Sequence, residues 1–121
     1  MTDAQDLFQL EKELHEAKDN LGKLAAQMKK SARVEIEAKA DYEAVKNKTL
    51  LELFEEEARR GLKRTIAKRQ AIYRTKHESE RRKMFYAQSD AIADRDVYRG
   101  VLAKIEILRT LISLEKAKLH L

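Results

Sequence analysis

The sequence predicts an all-α fold: a long helical hairpin with coiled-coil-like heptad seams and a short basic connector helix, oligomerising through its C-terminal part. Three observations predict it. Charged residues make up 39 % of the 121 and aromatics 6 %, Pro and Trp are absent, and Ala, Glu, Lys, Leu and Arg dominate. Such a composition favours long helices with a narrow apolar stripe. Apolar residues recur in sevens at both ends of the chain, and no alternation of period two marks a strand.

The first element, residues 1–58, is an acidic arm. Leu7, Leu14, Leu21, Met28, Glu35, Tyr42 and Thr49 share one heptad position, and Leu10, Ala17, Leu24, Ser31, Ala38, Val45 and Glu52 share its partner. The seam is apolar from Leu7 to Met28, is interrupted at Ser31 and Glu35, and resumes in phase. Thr2 or Asp3 is suited to cap the start. Gly22 is the only breaker, so the helix is expected to run to about Glu57.

The second element, residues 59–83, is a basic turn and connector helix. Gly61 in A-R-R-G-L-K-R-T is the candidate for chain reversal, because glycine adopts the left-handed backbone that closes a helix. Thr65 has the chemistry of a fresh N-cap, leading into a short helix to about His77 whose apolar residues are Ile66, Ala67, Ala71, Ile72 and Tyr73. The third element, residues 84–121, resumes the heptad with Met84, Ala91, Tyr98, Ile105, Ile112 and Leu119 on one position and Ala87, Val101 and Leu108 on the other. Leu102 and Leu111 widen its stripe, which suggests contact with more than one neighbouring helix. Met84, Tyr98, Val101, Leu102, Ile105, Leu108 and Ile112 are the expected oligomerisation residues. Gly100 sits inside this helix, and close helix approach is the simplest reason for it.

Charge is distributed unevenly. Arg59, Arg60, Lys63, Arg64, Lys68, Arg69, Arg74, Lys76, Arg81, Arg82 and Lys83 face only Glu78 and Glu80 in their own segment, a local charge of +9 in a chain of net +5. The residues before this district carry a net −5. Arg60, Arg64 and Lys68 recur at four-residue spacing and Lys76 and Lys83 stand seven apart, a pattern able to track phosphates from one helix side. Tyr73 lies within the district and Phe85 and Tyr86 at its edge, where an aromatic ring can stack on an unpaired base; at most one of Phe85 and Tyr86 is expected to face a ligand. Glu55, Glu56 and Glu57 read as a solvated helical face pairing locally with Arg59 and Arg60.

Catalysis is not expected. His15, His77 and His120 are far apart and hold no metal-ligand spacing, and no phosphate-binding glycine loop or nucleophile elbow is present. His77 reads as a solvated helix residue, with a phosphate contact as the lesser alternative. No cofactor is implied, and the absence of Cys removes disulfide and thiolate chemistry. No run reaches the ~18 apolar residues that cross a bilayer, and the opening M-T-D-A-Q-D lacks the features of a secretion signal, so a cytoplasmic protein without a membrane partner is expected. Zinc-finger spacing, a basic region in register with a zipper and a compact helix-turn-helix are all missing, which favours sequence-independent binding.

The stretch A-K-A-D-Y (Ala38 to Tyr42), the central basic turn and the final V-L-A-K-I-E-I-L-R-T-L-I (Val101 to Ile112) together resemble the UvsY-like recombination mediators of tailed phages, over about Ala25 to Leu114. The resemblance implies a phage protein in a bacterial host's cytoplasm. It further implies binding of single-stranded DNA, ring-like homo-oligomers, and help to a recombinase in displacing single-strand-binding protein. Lys39 matches one of the family's DNA-binding basic residues, whereas Glu37 stands where a second is expected. That departure shifts the expected binding toward the Arg59 to Lys83 district. The rival reading is a structural coiled-coil scaffold or adaptor whose basic segment docks an acidic protein. A duplex or RNA binder shares the same electrostatics.

Overall fold

In a computed structural model, which describes residues 3–120, the chain is three helices: α1 (Asp3–Arg60), α2 (Ile66–Lys76) and α3 (Glu78–Leu119). No strand occurs among the described residues. Of the two candidate caps for α1, Thr2 lies outside the described residues and Asp3 is already helical. The contacts divide into two compact units whose boundaries fall inside α1 and α3: residues up to 30 with those from 92 onward, and Ser31–Ala91.

The first unit pairs the N-terminal half of α1 with the C-terminal part of α3. Ala17, Ile105 and Leu108 form its buried centre, with Leu10, Leu14, Leu21 and Val101 packed around them. Gln27 reaches Asp94 at 3.4 Å. Rising numbers on α1 meet falling numbers on α3, so the two segments are antiparallel. The residues that bury here are those of the two sequence heptads, because i, i+3, i+4 and i+7 share one helix side.

The second unit holds the rest of α1, all of α2 and the start of α3. Tyr42, Leu53, Tyr73, Ala87 and Ala91 are its buried apolar residues, and Ser31, Thr49 and Glu57 its buried polar ones. Glu57 meets Arg69, Glu52 meets Lys76 and Thr49 meets His77, so α2 runs antiparallel to the end of α1.

The turn between α1 and α2 follows from local chemistry. Gly61 has φ +63°, in the left-handed region that glycine enters without steric cost. The Leu62 N–H then donates back to the Glu57 carbonyl at 3.1 Å, the bond that closes a helix after a left-handed residue. Arg59 and Arg60 in the last turn complement the partial negative charge of the helix end. Thr65 has an extended backbone, and its hydroxyl accepts from the Lys68 N–H at 3.2 Å, capping α2.

Between α2 and α3 only His77 is non-helical. Its N–H donates to the Tyr73 carbonyl, and its own carbonyl accepts from the Arg81 N–H, both at 3.0 Å. The side chain lies 2.6 Å from the Thr49 hydroxyl. The expectation of a solvated helix residue is therefore corrected: His77 is half-buried and joins two helices to α1. α3 also starts six residues before Met84, since Glu78 and Glu80 supply the acidic first turn that a helix N-terminus favours.

Gly100 requires a second correction. A Cβ built there meets nothing within 4 Å, so close approach of another helix of this chain does not account for it.

Candidate nucleic-acid interface

The basic district lies wholly in the second unit. Glu57 organises its inner side. Buried at 5 % exposure, Glu57 accepts from Arg69 Nη2 at 2.7 Å and Arg69 Nε at 3.1 Å, and from the Arg64 backbone N–H at 2.8 Å. The Arg69 guanidinium also stacks 4.5 Å from the Phe54 ring centroid, held between an anion and an aromatic face. The Arg69 hydrogen bonds first, and then the Arg64 N–H, push the Glu57 carboxyl down to about 2. Glu57 in turn raises the Arg69 guanidinium above its ordinary value.

Glu56 takes the neighbouring cations: Arg64 Nη2 at 2.8 Å and Arg60 Nη1 at 2.9 Å both donate to its Oε1. Arg64 first and Arg60 second hold this carboxyl below its usual range. The expected local pairing is present at Glu56, which meets Arg60 one turn on, whereas the expectation of a solvated face is corrected at Glu57, which is buried. Glu56 and Glu57 are the anions around which the turn closes, and they withdraw Arg64 and Arg69 from solvent.

The expected four-residue row of Arg60, Arg64 and Lys68 is not one helix side, because the chain leaves helical geometry after Arg60 and re-enters it at Ile66. Lys76 and Lys83 are likewise separated by the non-helical His77. Lys76 pairs with Glu52 at 3.4 Å and Arg82 with Glu78 at 2.7 Å, both in the open. Arg81 lies half-buried, 5.1 Å from the Phe85 ring centroid. Arg59, Lys63, Lys68, Arg74 and Lys83 remain exposed, with side chains in no ion pair among the described residues. Lys39 is exposed as well, but twenty residues before Arg59 on the same helix, roughly 30 Å away at ~1.5 Å per residue. It belongs to a separate part of the surface, next to the buried Tyr42.

The aromatic rings divide sharply. Tyr73 is 6 % exposed and packs toward α1, with Lys46 Nζ 5.6 Å from its ring centroid, so it offers no face to a base. Tyr86 is 68 % exposed. With Glu78, Ser79, Arg82 and Lys83 it lines a shallow open groove on the first turns of α3. Among the expected oligomerisation residues, Ile105, Leu108 and Ile112 are buried within the chain, Val101 packs against that core, Met84 and Tyr98 are half-buried, and Leu102 is exposed.

Sequence reasoning missed Glu57 as the centre of the turn. The left-handed Gly61 signals only the Glu57 carbonyl, one turn back, while the partners of its carboxylate lie beyond the helix end. Comparison of the chain with protein-family models, curated proteins and solved structures returns no match. Among the described residues, no helix is long and apolar enough to cross a membrane.

Proposed function

We propose that the chain binds single-stranded nucleic acid without sequence preference and acts as an accessory protein that helps a recombinase load on the strand. The observation that carries this reading is the set of five exposed cations without an ion pair among the described residues, Arg59, Lys63, Lys68, Arg74 and Lys83, in a district where Arg60, Arg64, Arg69, Lys76 and Arg82 meet carboxylates and Arg81 lies against the Phe85 ring. Cations with no protein anion retain their full value for phosphate oxygens, and their binding releases counterions from the strand. The exposed Tyr86 ring beside Arg82 and Lys83 adds a stacking surface, which an unpaired base satisfies and a closed duplex does not.

The mechanism is physical. Each copy makes a few weak phosphate contacts, and assembly of several copies multiplies them by raising effective concentration. A strand held this way is presented in extended form to a filament-forming partner. The recombinase and the displaced single-strand-binding protein enter through the resemblance to UvsY-like mediators.

A coiled-coil adaptor for an acidic protein is the second reading. Ile66 at 72 % exposure and the half-open Phe54 favour it, since they give the cationic turn an apolar neighbour that a phosphate backbone does not use. The deciding experiment is fluorescence anisotropy of a labelled single-stranded oligonucleotide titrated at low and moderate salt with duplex as competitor. Micromolar or tighter binding that weakens steeply with salt and resists duplex is the expected result. An absence of binding at low salt rejects the nucleic-acid reading in favour of the adaptor.

A further inference from the structure

The α3 segment of the first unit is apolar on two sides. One side carries Ile105, Leu108 and Ile112 into the core with α1. A second stripe, Ala93, Val97, Gly100, Lys104, Ile107, Leu111 and Leu114, advances in alternating steps of four and three residues, so it also occupies one helix side. Every one of these residues is exposed, Ile107 at 61 %. Within α3, Ile107 lies two residues from Ile105 and five from Ile112, about 160° and 140° around the helix at ~100° per residue, so the stripe faces away from α1.

Two features of the stripe have no explanation within the chain. Gly100 costs about 1 kcal/mol relative to Ala in a helix interior, yet nothing of this chain approaches it. Lys104 interrupts the apolar run, and neither it nor Asp96 beside the stripe has an ion-pair partner among the described residues. Asp96 and Lys104 stand four residues to either side of Gly100, with opposite charge.

We infer that this outer face of α3 pairs with the same face of a second copy, antiparallel, about a two-fold axis near Gly100. That symmetry brings Asp96 of each copy to Lys104 of the other, making two equivalent ion pairs from four unpaired charges. It also sets Ala93 against Ile107 of the second copy, small against large, while Gly100 lets the backbones approach at the axis. A parallel pair would instead set Asp96 against Asp96 and Lys104 against Lys104, and like charges repel. An isologous pairing of this kind closes on itself over residues 93–107 of the two stripes, with Leu111 and Leu114 beyond the paired length. The inference does not depend on nucleic-acid binding, and a negative oligonucleotide titration leaves it intact.

Sedimentation equilibrium of the full chain tests it, using wild type, Asp96→Lys, and Asp96→Lys with Lys104→Asp. Wild type is expected to be a dimer at micromolar concentration, the single substitution to weaken dimerisation by at least ~10-fold, and the double exchange to restore it. Unchanged helical circular dichroism in all three chains excludes misfolding, since both side chains are exposed. A wild-type monomer across the range overturns the pairing and leaves the face to a different protein. A dimer indifferent to Asp96→Lys, or one that the double exchange fails to restore, also overturns it.

Discussion

Arg69 holds Glu57 in a two-point grip, Nη2 to Oε1 at 2.7 Å and Nε to Oε2 at 3.1 Å. The geometry matches the planar guanidinium to the planar carboxylate, the strongest form of side-chain ion pair. Because the same carboxylate accepts the Arg64 N–H and the Glu57 carbonyl accepts the Leu62 N–H, one residue closes the turn and anchors α2.

The pH dependence of stability follows from this clasp. The folded state pushes the Glu57 carboxyl from an ordinary 4.5 down to about 2. A depressed folded value means that the contribution is fully present above the unfolded value and is lost as pH falls through the folded one. Glu57→Gln is therefore expected to lower the urea midpoint near neutral pH, with the gap to wild type closing between about pH 4.5 and about pH 2. Urea titrations of both proteins across that window check it. A gap of constant size would mean that the carboxylate's charge contributes nothing.

Tyr73 and Tyr86 are expected to part company on mutation. Removing the buried Tyr73 ring leaves a cavity between α2 and α1, and Tyr73→Ala should cost about 3–5 kcal/mol in chemical denaturation. Tyr86→Ala touches an exposed ring and should stay within about 0.5 kcal/mol of wild type. If Tyr86 stacks on bases, the same substitution should weaken single-strand binding by about 1–3 kcal/mol in anisotropy titrations. Equal stability losses in the two variants would contradict the burial pattern.

Sequence legibility followed the range of the interactions. Gly61 and Thr65 were readable because a left-handed closure and a hydroxyl cap each involve residues within one turn. The heptad residues Ala17, Ile105 and Leu108 were readable as apolar seam positions for the same reason of periodicity. Glu57 was not, because its partners lie seven and twelve residues on, across a break whose geometry decides the contact. The row of Arg60, Arg64 and Lys68 misled for the same cause: spacing has helical meaning only inside one helix. Periodicity showed that the apolar stripe of α3 is wide, but not which of its residues the chain covers, because spacing records that residues share a side without saying what packs on it.

Gly22 offers a test of the helix itself. It lies in the interior of α1, is exposed, and a Cβ there meets nothing within 4 Å. Glycine in a helix interior loses more backbone entropy on folding than alanine does. Gly22→Ala should raise stability by about 0.5–1 kcal/mol, read as a higher thermal midpoint with unchanged binding. Gly61→Ala should do the reverse, because its φ of +63° strains any residue with a Cβ.

The salt dependence of binding separates cations that are available from cations that are spent. If Arg59, Lys63, Lys68, Arg74 and Lys83 each neutralise one phosphate, replacing all five with Ala should flatten the slope of log K against log salt by about 3.5, at ~0.7 per phosphate on a single strand. Replacing Arg82 and Lys76, which already pair with Glu78 and Glu52, should flatten it less per residue, because each would have to leave a carboxylate to reach a phosphate. Arg64 and Arg69 should act differently again. Their loss frees Glu56 and Glu57 and lowers stability, so any weakening of binding should track unfolding measured by circular dichroism. Salt titrations of folded variants therefore rank these nine cations by what the protein already asks of each, and a slope unchanged by loss of the five would remove phosphate contact from their account.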